Sequence, residues 1–261
     1  MSLPSNDGNA HDSAGRPWAG RAFESNPFAG DDGTAPAELA EAIARFRAGE
    51  AGADAVVDAF RGARLLIPLL AELGGSTEIG AHGLAIEKSQ ELSIVTVAGP
   101  DGRNVLPVFA SVAAMQAWNP AARPVPADGV RVALAAADDG TELVVLDPGS
   151  AGEFAIRRPA LWAVAQSKPW RPSWTEPAVR EAFLRSIASE LAVLDVRLAP
   201  GDPHARLAGP ELSVALELVD GLTREELDAV LARLAARWAA DDAIALLVDS
   251  LAVRLERSAA E

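Results

Sequence analysis

The chain has 261 residues, 49% of them hydrophobic, with a formal net charge of −14 and a sequence pI of about 4.7. So acidic a surface repels phosphate backbones and anionic bilayers, which argues against sequence-independent nucleic-acid binding and membrane attachment. The lack of cysteine removes disulfides, thiolate metal sites, iron–sulfur clusters and thiol nucleophiles together.

Residues 1–33 are rich in Gly, Ser, Asn, Asp and Pro without apolar periodicity, and read as a flexible arm. Trp18, Phe23 and Phe28 give residues 18–30 the means to pack across the folded body. Residues 1–18 have neither a basic n-region nor an apolar h-region, and no run approaches the ~18 apolar residues of a membrane span, so a cytoplasmic protein is expected. From Pro36, Leu39, Ile43 and Phe46 recur on one helical face, and Gly49 supplies a stop. A short helix over 54–60 follows, then a strand over 63–70 whose Pro68 predicts an edge position or a bulge.

Residues 91–98 and 104–110 read as a hairpin around Gly99-Pro100-Asp101-Gly102. Ser111 caps a helix that ends at Trp118, because Asn119 precedes a proline. A helix over 129–137, a strand over 141–146 and a helix over 159–166 complete an N-terminal α+β domain, 34–168. The run SKPWRPSWTEP over 167–177 is too proline-rich for regular structure, and 169–175 is read as a linker. A smaller α+β domain, 176–261, then holds a helix capped by Thr175 and running to about Leu191, with strands alternating at Leu194–Leu198 and Leu212–Leu218. Thr223 and Glu226 have capping-box spacing ahead of Leu227, Val230, Leu231, Leu234 and Trp238. Residues 244–256 fit either a helix or a strand, and a strand over 250–256 is preferred because it gives this domain a third strand. The expected fold is α+β in two domains, each a mainly antiparallel sheet with packed helices.

Motifs for chemistry are few. His11, His82 and His204 are scattered without metal-ligand spacing, so no metal or other cofactor is expected. There is no Gly-x-Ser-x-Gly, P-loop or dinucleotide fingerprint. Gly74-Gly75-Ser76-Thr77 reads as a turn rather than an anion loop, and Asp31-Asp32-Gly33 and Asp138-Asp139-Gly140 read as turns rather than calcium loops. The expectation is therefore no enzyme. The rival is catalysis by scattered carboxylates such as Glu72, Glu78 and Glu87.

Tryptophan and arginine stand out: Trp118, Arg123, Trp170, Arg171 and Trp174 cluster around proline-rich segments and are residue types that anchor interfaces. They form the candidate interaction surface, against the alternative that the rings simply bury the linker.

Val105-Leu106-Pro107-Val108-Phe109-Ala110-Ser111, followed by Ala117-Trp118-Asn119-Pro120-Ala121-Ala122-Arg123-Pro124, resembles the N-terminal domain of the SseB family in its actinobacterial form. The strand ending at Asp147-Pro148-Gly149 and the arm segment from Phe28 to Gly33 are similar to it too, so that the resemblance spans roughly 18–165. The family name, enhanced serine sensitivity, implies a link to amino-acid metabolism and carries over no catalytic residue. The expected function is a cytoplasmic adaptor that binds a protein partner, and the runner-up is a small-molecule sensor with a ligand cleft between its domains.

Overall fold

The computed structural model describes residues 30–71 and 92–257. Calls for the arm up to residue 29, for the glycine loop at 74–77 and for Glu72, Glu78, Glu87, His11 and His82 lie outside the described residues. Gly33–Glu261 forms one compact unit.

Two helices open it, α1 (Ala37–Arg47) and α2 (Ala53–Gly62), with Leu39, Ile43, Val56, Val57 and Phe60 buried. Gly49 takes φ +73° just past α1, where a glycine carries no Cβ penalty. Strand β1 (Arg64–Ala71) is central rather than at an edge: β2 (Leu92–Ile94) pairs with it on one side and β5 (Arg123–Asp128) on the other. Pro68 is tolerated there because it falls between two partners. Leu66 bonds Phe109 in both directions (2.8 and 3.0 Å), while pairing with β2 starts at Leu69. Strand β5 was not expected, since the sequence reading placed no element between Trp118 and residue 129. Both prolines sit in register with Pro68 and Leu66 of β1, and β5 is an edge strand. Prolines two apart direct their missing donors to one side, which here is the outer edge.

The expected hairpin is present in shortened form. Strands β3 (Val97–Ala98) and β4 (Asn104–Val108) pair antiparallel, while β2 has gone to β1. After α3 (Val112–Trp118), capped by Ser111 accepting from the Ala114 N–H at 3.1 Å, and α4 (Gly129–Asp138), capped by Asp128, come β6 (Val144–Leu146) and β7 (Phe154–Ile156). They complete a sheet of order β3-β4-β6-β7, in which β4 and β6 are parallel. Helix α5 (Arg158–Ala165) follows and packs on α4 and α2, with Ala160, Leu161 and Val164 in the main core. One apolar cluster spans Leu39 to Val164.

Past a 3-10 turn at Ser173–Thr175, α6 (Pro177–Ile187) is shorter than expected, and Glu176 occupies its N-cap position. The Thr175 hydroxyl instead donates to Pro172 O at 2.9 Å, so it closes the turn and does not cap the helix. Strands β8 (Val193–Pro200) and β9 (Leu212–Leu218) are antiparallel. Then α7 (Arg224–Ala239) begins with both halves of the Thr223–Glu226 capping box formed. The ambiguous C-terminal stretch contains both structures: α8 (Asp242–Leu247), capped by the Asp241 carboxylate, then β10 (Leu251–Arg257), which runs parallel to β9. A second apolar cluster spans Val179 to Val248. The protein is thus α+β, with an apolar core on each side of residues 167–175 inside one compact unit.

Candidate functional site

The two cores meet along a seam built largely by the loop joining β8 to β9, residues 201–211. Gly201 is required at its base: a Cβ there would stand 2.3 Å from Pro210 O, while its own N–H donates to Glu211 O at 2.8 Å. Ala205 and Leu207 hold positive φ, 47° and 55°, in the left-handed region, which costs an L-residue about 1–2 kcal/mol. Asp202 holds that backbone, its carboxylate accepting the N–H groups of Arg206 (3.1 Å) and Leu207 (2.8 Å). The loop then adds to the N-terminal half. Ala155 N–H donates to Ala205 O at 2.7 Å, and Leu207 is buried with Val105, Leu143, Val145 and Ala155 on the sheet face turned away from the main core.

Arg157, only 7% exposed, is the centre of the seam. Its guanidinium donates to Asp202 (2.8 Å), Gly209 O (2.7 Å), Asp249 (3.1 Å) and Ser250 (3.3 Å). Arg103 clamps Asp249 with two parallel bonds of 3.0 Å and also bonds Asp101. Burial raises the Asp249 carboxyl, but the bonds and charges of Arg103 and Arg157 more than offset it and leave it below the usual carboxylate range. Glu211 differs. One carboxylate oxygen, Oε2, accepts the Asp249 N–H at 2.6 Å, while Oε1 is buried without a hydrogen-bond partner, as is the Ser173 hydroxyl. Burial pushes the Glu211 carboxyl up. The bond from the Asp249 N–H and the nearby Ser173 hydroxyl pull it back, the former more strongly, and the Asp249 charge adds to the rise.

Glu211, Arg157 and Asp202 are among the walls of a small chamber of about 30 Å³, completed by Trp170, Trp174 and apolar side chains of α2, β7 and α5. It adjoins an open cleft of about 470 Å³, with which it shares Ala53, Trp174, Asp202 and Ala205. Phe46, Asp54, Arg171, Pro172, Pro200 and Pro203 also line the cleft. Three of the five candidate surface residues therefore come together here: Trp170 at the chamber, Arg171 at the cleft and Trp174 at both. The two rings are half-buried and Arg171 is exposed. Trp118 and Arg123 line neither space. Trp118 packs on Phe109 with ring centroids 5.3 Å apart, and Arg123 is the exposed first residue of β5, opposite Leu69. The sequence reading missed Phe46, Asp54, Arg157, Asp202 and Glu211. For Asp202 alone a signal existed, since Pro200-Gly201-Asp202-Pro203 marks a constrained loop.

His204 is exposed and its carbonyl accepts from Arg47 at 2.6 Å. Among the described residues no group of three or more His, Asp or Glu side chains is placed to hold a metal, and no helix is long and apolar enough to cross a membrane.

What fold and site define is an α+β protein with a polar seam and a cleft at the junction of its two cores. Residues 39–163, just under half of the chain, match the family model described as the SseB protein N-terminal domain, which supports an SseB family protein. The match lies within the span of the resemblance and leaves the cleft-lining linker and the C-terminal half outside it. No curated protein and no solved structure gives a match.

Proposed function

We propose that the chain is a cytoplasmic, non-catalytic binding module, an adaptor that takes a segment of a partner protein in the cleft at the junction of its cores. The observation that carries this reading is the convergence of Trp174 and Arg171 on an open cleft beside Phe46 and three prolines. Half-buried indoles and an exposed guanidinium are the groups that anchor protein interfaces. Asp202 in the wall is engaged by Arg157 and two backbone N–H groups, which ties it to the seam. The placement in amino-acid metabolism rests on the family name alone. Trp174→Ala is expected to weaken capture of the partner from native lysate by more than about 1 kcal/mol, against an unchanged capture by Trp118→Ala. Equal loss from both variants would move the surface away from the cleft.

A small-molecule sensor is the second reading. It is favoured by a cleft volume of about 470 Å³, within the range of ligand sites. A sensor responds to a metabolite panel in a thermal-shift assay, with a gain of roughly 2–3 kcal/mol at about 100 times the dissociation constant. An adaptor does not.

A further inference from the structure

The chamber next to the cleft has walls of two indoles, apolar side chains, the Arg157–Asp202 pair and a second carboxylate, Glu211, which is 4% exposed and whose Oε1 has no hydrogen-bond partner, the Ser173 hydroxyl lying nearby. A buried carboxylate oxygen demands a proton or a cation. Arg157, in the same walls, is not available to it, because both its terminal nitrogens are already bonded to Asp202, Gly209 O, Asp249 and Ser250. The connected network around the chamber contains two cations, Arg103 and Arg157, against four carboxylates, Asp101, Asp202, Asp249 and Glu211. It is short of positive charge in a protein whose net charge is already −14. Aromatic walls attract cations through the negative faces of their rings. At about 30 Å³ against about 470 Å³ for the cleft, the chamber admits only the tip of a side chain.

Resting on the cleft reading above, we propose that the chamber receives the ammonium tip of a lysine side chain carried by the partner's segment, with Glu211 Oε1 as its counter-ion between Trp170 and Trp174. The lysine stem passes the neck formed by Ala53, Trp174, Asp202 and Ala205, and the peptide backbone lies in the cleft along Phe46 and Arg171. A neck that is apolar but for Asp202, which Arg157 pairs, and a charged floor suit a side chain whose stem is hydrophobic and whose head is charged. An ammonium group pairs best with the ionised carboxylate, so affinity rises with pH across the raised titration of Glu211.

The test is isothermal titration of the full chain with Nα-acetyl-lysine methylamide. The norleucine analogue, the Nε-acetylated analogue and n-butylammonium chloride complete the set. The lysine amide is expected to bind in the roughly millimolar range, and the two uncharged analogues about tenfold more weakly, since each loses the charge-assisted bond. Its affinity should increase with pH above the ordinary carboxylate range, and Glu211→Gln should cost about tenfold and flatten that dependence. Trp170→Leu provides a second variant that keeps the carboxylate, with a loss of about threefold from the missing ring. Norleucine binding as well as lysine, or Glu211→Gln binding as well as the native chain, overturns the proposal. So does n-butylammonium matching the lysine amide, which assigns the chamber to free amines. If Trp174→Ala weakens partner capture and Glu211→Gln does not, the cleft reading stands and the ammonium assignment falls.

Discussion

The interior of the C-terminal half and the seam that joins the halves are both buried, and they are built from opposite materials. Inside the half, Phe183 packs on Trp238 with centroids 5.2 Å apart, and a ring of aliphatic side chains from α6, α7, β8 and β9 closes around them. Polar bonds enter through Ser186, whose Oγ accepts from the Trp238 indole N–H at 2.8 Å and donates to Phe183 O at 2.7 Å. At the seam the crossing side chains are arginines. Arg47 reaches His204 O, and Arg103 and Arg157 reach Asp249. Arg158 reaches the carbonyls of Ala245 (3.0 Å) and Val248 (2.9 Å) at the end of α8. In the other direction Arg206 reaches Ser150 O and Ala151 O. Apolar packing is non-directional and forgives a small slide, whereas forked donors on fixed acceptors define one geometry. A cleft between two cores keeps its shape only if the cores cannot slide, so the polar seam is what makes a preformed site possible.

The largest expected effect breaks that seam. Arg157→Ala leaves Asp202 and Asp249 buried with fewer cations, and removing one partner of a buried pair costs about 3–5 kcal/mol. Urea unfolding followed by circular dichroism measures it. A cost below about 1 kcal/mol, the scale of a surface pair, would mean that the seam is wet and loosely held. Arg157→Lys keeps a charge but loses the fork, and is expected to fall between the native chain and the alanine variant.

A smaller effect separates the two carboxyls of the seam by pH. Asp249 has a lowered pKa, so its contribution is present above the ordinary Asp value of about 3.9 and is lost as pH falls through the folded value. Glu211 has a raised pKa, so the folded chain holds its proton more tightly than the unfolded chain does. Its contribution is full below the ordinary Glu value of about 4.3 and declines as pH rises through the raised one. Glu211→Gln keeps an oxygen for the Asp249 N–H and has no proton to lose. Its stability relative to the native chain is therefore expected to grow with pH over that window and then level off. Urea midpoints at a series of pH values test this, and parallel profiles for the two chains would show that Glu211 is not buried as described.

The same contrast explains what was legible in the sequence. Cores announce themselves by period. Leu39, Ile43 and Phe46 marked α1, the alternation of Leu212 to Leu218 marked β9, and Thr223 with Glu226 marked the start of α7. The alternation of Leu251, Val253 and Leu255 marked β10, whereas α8, capped by Asp241 just ahead of the ambiguous stretch, was not expected beside it. Seam residues have no period. Arg157 finds Asp202 and Asp249 at sequence distances of 45 and 92, set by the closing of one half on the other. Pro68 misled as to the place of β1, and Pro124 and Pro126 are tolerated in β5 for the same physical reason. A missing donor forbids only the bond on its own side, and which side faces a neighbour is a tertiary fact. Trp170, Arg171 and Trp174 were found by residue type, whereas Trp118 and Arg123, chosen on the same grounds, stand apart from the cleft because they belong to α3 and β5 on other faces of the sheets.

The smallest expected effect on stability is also the one that divides a scaffold from a site. Arg171 is exposed, lines the cleft and lies between two residues that are held in place: the ring of Trp170, packed on the main core, and Pro172, whose carbonyl accepts the Thr175 hydroxyl. Exposed side chains away from caps, cores and networks change stability by about 0.5 kcal/mol or less when truncated. Arg171→Ala is therefore expected to leave the urea midpoint where it is. If the cleft binds a partner, the same change removes a long guanidinium from the contact surface and is expected to weaken partner capture by more than about 1 kcal/mol. Arg157→Ala behaves in the reverse order, with stability lost first and binding lost only because the cleft walls separate. The ratio of binding loss to stability loss, measured for the two arginines side by side, distinguishes an arginine that builds the cleft from one that reads its contents. Arg171→Ala with full capture and native stability would leave Arg171 an ordinary surface residue and remove the guanidinium from the proposed recognition.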